Sequence, residues 1–197
     1  MGSPENVQSL NVEPMSASVE KPKASGRISV MPLASENIRV RSAVPTDAHA
    51  LTQLVFRAKA FWGYPKEWMK EWRQELTVTS DYVAKHRVVL AEADQRLVAF
   101  YGLELKTDIA NLGHLWVEPA RIGSGLGRKL LALACEDARN NGCKVIELVA
   151  DPNAEGFYLR QGAIRIGEIR GNVLGNPRVL PKMQLVLSGG THHRRAL

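Results

Sequence analysis

Apolar and polar positions change period several times between residues 38 and 188. IRVRSAV (38–44) alternates, which predicts a strand. Pro45, Thr46 and Asp47 then supply turn and cap residues for a helix running to about Phe61, with Leu51, Leu54, Val55 and Ala58 on one face. WGYP (62–65) ends it, because the residue before a proline is pushed out of the helical region. KEWMKEWRQEL (66–76) predicts a second helix with Trp68, Trp72 and Leu76 at spacings of four. RVVLAEAD, QRLVAFYGLEL and IANLGHLWVEP then read as three strands, the first two joined tightly through Asp94 and Gln95.

A third helix opens at a glycine-rich loop and runs to about Asn141, with Gly142 as its stop. KVIELVA (144–150) is a buried strand, and AEGFYLRQ (154–161) is a short helix stopped by Gly162. AIRIGEI and KMQLVL are the last two strands. The expected order is β-α-α-β-β-β-α-β-α-β-β, a mixed α/β (α+β) pattern in one domain over 38–188, with one sheet and helices on both faces. Residues 1–37 are polar, proline-containing and aperiodic, so they are expected to form a disordered tail. Residues 189–197 are expected to be a second mobile tail, in which His192 and His193 are solvated rather than metal ligands.

Composition narrows the classes. The chain has 197 residues, 45% of them hydrophobic, enough for a sizeable core. Its net charge of +6 favours anionic ligands without choosing among them. Two cysteines in this length argue against a disulfide framework and fit a reducing, cytoplasmic setting. No apolar run approaches the roughly 20 residues of a membrane span. No basic stripe interleaved with aromatics suggests a nucleic-acid surface, so neither membrane nor nucleic acid is an expected partner.

The most informative stretch is RIGSGLGRK (121–129), between a strand and a helix. It is not a Rossmann fingerprint, because the spacing is GxGxG and antiparallel-looking strands precede it. It is not a Walker A loop, because no GK[ST] closes it. Free N–H groups at a helix start nevertheless form an anion site. Gly123, Gly125 and Gly127 would let a pyrophosphate approach them, with Arg121 and Arg128 nearby. The plainer alternative is that these glycines only let a helix pack close to a sheet.

LWVEPARIGSGLGRKLL resembles the acyl-CoA-binding motif of the GNAT N-acetyltransferase superfamily. Pro119, Gly125 and Gly127 fall at the family's offsets. DPNAEGFYLRQGA resembles the family's second signature, with Asn153, Tyr158 and Gly162 on its positions. One departure is Ile122, which stands where the family has Arg or Gln, while Arg121 lies one position early. The resemblance implies a largely antiparallel central sheet flanked by helices and splayed at the acyl-CoA site. It implies acetyl-CoA as cosubstrate, held by Leu115, Trp116 and Val117 of the strand, by Ile122, Gly123, Ser124, Gly125, Leu126, Gly127 and Arg128 of the loop, and by Asn153. The acceptor it implies is a primary amine of a small molecule or peptide, walled in part by Trp62 and Tyr64. A homodimer is a further implied possibility.

Direct attack by the amine needs its neutral form. Deprotonating a lysine-like amine at neutral pH costs about 4–5 kcal/mol, so a base or water chain would help. The residues do not single one out. Strict alternation puts Asn111, Gly113, Leu115 and Val117 on one face and His114 on the other, and the candidate bases are His114, Asp108 and Glu147. Tyr158 resembles the family's general acid for the leaving thiolate. Its alternative role is an aromatic packing its helix onto the sheet. A nonenzymatic acyl-CoA-binding module is the rival functional reading.

Overall fold

The computed structural model describes residues 38–187. The expected tails at 1–37 and 189–197, with His192 and His193, lie outside the described residues. Seven strands form one sheet in the order β1-β2-β3-β4-β5-β7-β6: β1 (Arg39–Ser42), β2 (Arg87–Ala93), β3 (Arg96–Leu105), β4 (Ile109–Val117), β5 (Val145–Val149), β6 (Ile164–Val173) and β7 (Asn176–Val186). Every pairing is antiparallel except that of β4 with β5. The helices are α1 (Ala48–Ala60), α2 (Lys66–Glu71), α3 (Ser80–Lys85), α4 (Leu126–Asn140) and α5 (Glu155–Arg160).

Local chemistry explains most boundaries. Asp94 and Gln95 both take positive φ (49° and 61°), the twist that a two-residue hairpin between β2 and β3 requires. Leu174 and Gly175 do the same between β6 and β7 (49° and 83°). These last two strands run longer than AIRIGEI and KMQLVL suggest, forming a two-stranded arm. The second helix is shorter than its periodicity suggests: it ends at Glu71, and turns carry the chain to Leu76. The additional helix α3 is capped by the Thr79 hydroxyl, which accepts from the Tyr82 N–H.

The sheet has a core on each face. β2 shows how: Val88 and Leu90 pack toward α1, α2 and α3, whereas Val89 and Ala91 pack toward α4 and α5. The α1 side gathers Leu51, Leu54, Val55, Trp72 and Phe100. The α4 side gathers Leu126, Leu130, Ala134, Ile146, Tyr158 and Met183. Val173, from the β6–β7 arm, joins the α1 core, so this arm folds over the end of the sheet beside α1 and α2.

Candidate active site

β4 and β5 run parallel but pair only where Ile109–Asn111 meet Val145–Glu147. Past that point β4 keeps its partner β3 out to Val117, and β5 keeps β7 out to Val149. The facing edges of the two strands therefore part, leaving unpaired main-chain groups on the β4 segment 112–117. Such an edge accepts an extended ligand in the manner of an added strand.

A bulge aims this edge. Gly102 pairs with His114, but Leu103 pairs with Leu112, so Gly113 is the extra residue. The bulge breaks the alternation expected along β4. Ala110 and Leu112 before it, and Leu115 and Val117 after it, all pack toward α4. Asn111 thus lies on the opposite face from Leu115 and Val117, a correction to strict alternation. Trp116 points to the α1 side. The Tyr82 hydroxyl fills the niche over the two glycines: a Cβ on Gly102 or on Gly113 would come within 2.8 Å of it. Buried there, this hydroxyl has no hydrogen-bond partner among the described residues.

The loop after β4 turns once as a 3₁₀ helix (Pro119–Arg121) and enters α4 through Gly123 and Gly125, both left-handed with φ of 88° and 87°. An L side chain resists that conformation, which is why glycine is needed at these two positions. Some amides are satisfied internally: Ile122 donates to the Pro119 carbonyl, Ser124 to that of Arg121, and Leu126 to the Ser124 hydroxyl. The Ile122 N–H is thus engaged within the turn. Intrahelical bonding begins with Lys129 donating to Gly125. The N–H groups of Gly123, Gly125, Gly127 and Arg128 have no acceptor among the described residues. Gly127 is a close-packing position, because a Cβ there would touch Val117 and Phe157 at 3.6 Å.

Tyr158, on α5, is buried in the α4-side core and meets Phe157 edge-on at 5.0 Å. Burial raises its phenol well above the ordinary value, so it keeps its proton at neutral pH. Asn153 is tied elsewhere. Its amide donates to the Tyr64 hydroxyl at 3.1 Å and to Asp151 Oδ1 at 3.0 Å. Asp151 is the hub of a network: it accepts from the Lys59 ammonium, from Tyr64 (2.9 and 3.0 Å) and from the Asn153 N–H (2.9 Å). Lys59 is only 4% exposed and lies 4.6 Å from the Tyr64 ring and 4.7 Å from that of Trp72. Burial lowers its pKa against the opposing pull of Asp151. Burial alone would raise the Asp151 carboxyl, but Lys59 and the donated hydrogen bonds outweigh it and hold it below its ordinary range.

The last turns of α1 thereby bridge the opening. Arg57 pairs with Glu118, just past β4, at 2.8 Å, while Lys59 pairs with Asp151, just past β5. Tyr64 stacks on Trp68 and meets Trp72 edge-on, whereas Trp62 meets Phe61 and stands outside this cluster. Of the two aromatics expected at the acceptor wall, the structure joins Tyr64, but not Trp62, to Asn153.

None of the three candidate bases is poised for its task. His114 is half-buried, desolvation lowers it to about 4, and its Nδ1 accepts from Trp116 Nε1 at 3.1 Å. Asp108 pairs with Lys144 at 3.0 Å, exposed and beside the start of β4, away from the opening. Glu147 sits opposite Asn111 where the strands part, but a hydrogen bond from Lys182 lowers its carboxyl and so weakens it as a base. No cluster of His, Cys, Asp or Glu suited to a metal occurs among the described residues, and no helix among them is long and apolar enough to cross a membrane.

Lys59, Asp151 and Arg178, a β7 residue whose guanidinium carbon lies 4.3 Å from the Trp72 ring centroid, are absent from the sequence-based site. Lys59 had a legible signal: it follows Val55 by four, on the buried face of α1. Asp151 opens the stretch that resembles the second signature, two residues before Asn153, but its partners Tyr64 and Lys59 are 87 and 92 residues away. Arg178, in a polar arm, carries no local signal.

Solved structures share this fold. The PaiA N-acetyltransferase of Thermoplasma acidophilum, solved with coenzyme A, superimposes with a TM-score of 0.59 at 19% identity, covering 76% of this chain and 98% of that one. The ribosomal-protein-S18-alanine N-acetyltransferase of Escherichia coli gives 0.60 at 19% identity, covering 79% and 97%. YncA of Salmonella typhimurium, a putative acetyltransferase solved with its cofactor acetyl-CoA, gives 0.57 at 19% identity, covering 81% and 99%. No curated protein matches the chain by sequence. The model of the acetyltransferase (GNAT) family matches residues 50–163, more than half of the chain, and the protein therefore belongs to the GNAT acetyltransferase family.

Proposed function

We propose that this protein transfers an acetyl group from acetyl-CoA to a primary amine of a small molecule or peptide by direct attack. The observation that carries the reading is the unpaired edge of β4 running into a helix entrance with four open N–H groups. Gly123, Gly125, Gly127 and Arg128 fit a diphosphate, since their amides converge on the start of α4 where the helix dipole favours negative charge. The segment Leu115–Val117 fits a pantetheine arm through its main chain. Bound there, acetyl-CoA supplies an activated thioester. An N–H of the β4 edge stabilises the carbonyl oxygen as charge develops on it.

The amine nitrogen forms the new C–N bond as the C–S bond breaks. Tyr158, protonated at neutral pH, donates its proton to the departing sulfur and recovers one from solvent. With no poised carboxylate or imidazole at the opening among the described residues, the proton of the attacking amine leaves through water. Trp62 and Tyr64 belong to the acceptor side of this reading. Asn153 acts by holding the chain between β5 and α5 rather than by touching coenzyme A.

Free-thiol release from acetyl-CoA over a panel of amines tests the reading, with thermal stabilisation by coenzyme A measured alongside. Thiol release with at least one amine is the expected result. Stabilisation without thiol release on any amine would instead establish a binding module that performs no transfer. A protein indifferent to coenzyme A would refute both.

A further inference from the structure

The β6–β7 arm places one cation in an unusual position. Arg178 lies on β7 before Lys182, which pairs with the last residue of β5, so the arm carries it past the C-terminal end of β5. That is the side on which β4 and β5 part. Its guanidinium carbon stands 4.3 Å from the centroid of Trp72, the ring that Lys59 approaches at 4.7 Å. The two cations are not equivalent. Lys59 is neutralised by Asp151, whose oxygens already accept from Lys59, Tyr64 and both nitrogens of Asn153. Asp151 therefore has little left to offer a second cation. Arg178 forms no ion pair among the described residues. Glu75, exposed on the turn after α2, contributes to the field at Lys59 but makes no ion pair with Arg178.

A guanidinium held over an aromatic ring by a cation–π contact is localised while N–H groups stay available to a second partner. Its N–H edge matches a carboxylate in a two-point contact. Asp151 and Glu75 match Lys59 and Arg178 in number, but neither carboxylate pairs with Arg178, which leaves its guanidinium edge for the carboxylate of a ligand. We propose that Arg178 binds the carboxylate of the acceptor, so that the acceptor is a free amino acid or a similar small amine carrying a carboxylate. This rests on the acetyl-transfer reading above and narrows it. Trp72 holds the guanidinium in place, and the satisfied Lys59–Asp151 pair keeps it from being captured by the protein's own carboxylate.

The test compares amino acids with their carboxamides as acceptors, on the full-length wild-type protein and on Arg178→Gln and Arg178→Lys. The wild type is expected to prefer the carboxylate form by about ten- to a hundredfold in kcat/KM, the span of one charge-assisted contact. Arg178→Gln is expected to bring that ratio near unity with coenzyme A affinity unchanged, and Arg178→Lys to restore only part of it. A wild type that uses carboxamides equally well, or a Gln variant that keeps the preference, overturns the proposal. A second readout does not need turnover: tryptophan fluorescence of the coenzyme A-loaded protein titrated with amino acids and their carboxamides. A saturable change with the acids that disappears in Arg178→Gln supports the site even if no acceptor releases thiol, an outcome that would sink the transfer reading alone. No change with any acid overturns the site.

Discussion

The two sides of the opening between β4 and β5 are built on contrary plans. On the loop side, four amides at the entrance of α4 have no acceptor among the described residues, and an unpaired strand edge leads into them. On the α1 side, Asp151 is saturated by Lys59, Tyr64 and Asn153. Unsatisfied donors lie idle until a ligand fills them, whereas a satisfied buried charge network holds elements in place. The contrast separates backbone donors left open from side chains that are paired. Asn153, which its motif places with the first group, is bonded into the second.

Removing the hub should give the largest effect. Asp151→Ala leaves Lys59 buried without its counter-charge and should cost about 3–5 kcal/mol in urea unfolding. An unfolding free energy within 1 kcal/mol of wild type, a cut-off set by the ordinary effect of a point mutation, would mean that the network is not what joins α1 to the end of β5. The same carboxylate predicts a pH dependence. Its folded pKa lies below its unfolded value, so its stabilisation is complete above about pH 4. It is lost as the pH falls further through the folded value. In Asp151→Asn that acid-side slope should be shallower than in wild type.

The next effect sharpens the functional half of the comparison. Tyr158→Phe should lower kcat by about a hundredfold or more, the range of a lost general acid. Its coenzyme A affinity, measured by calorimetry, should change little. Unaltered turnover would reduce Tyr158 to a core aromatic, a role its burial also suits. The smallest effect belongs to the loop. Gly125→Ala meets no atom within 4 Å, so it should cost only the left-handed strain, roughly 1–2 kcal/mol. That strain should appear as a lower melting temperature together with weaker coenzyme A binding. A variant that binds coenzyme A like wild type would detach the loop geometry from the ligand.

Legibility in the sequence followed the range of the interactions. The entrance to α4 was readable because strand, turn and helix cap lie within about twenty residues and each obeys local rules. The Asp94–Gln95 hairpin and the glycine stops at 142 and 162 were readable for the same reason, and all take positive φ. α3 was missed because six residues give no period, and its signal is the Thr79 cap alone. The bulge at Gly113 was hidden, since a single extra residue reverses the facing of everything before it while leaving the composition unchanged. The β6–β7 arm is exposed along most of β6, so apolar alternation could not mark its length or bring Arg178 to Trp72. The Lys59–Asp151 pair joins residues 92 apart, and only the lysine's place on an apolar stripe hinted at it.

If the open amides at the start of α4 receive the diphosphate of coenzyme A, amide chemical shifts of the ¹⁵N-labelled protein will register it during a coenzyme A titration. Large, saturable shifts are expected at Gly123, Gly125, Gly127 and Arg128, with the Asn153 side-chain amide nearly unmoved. Saturable binding that leaves those four backbone signals in place would contradict it.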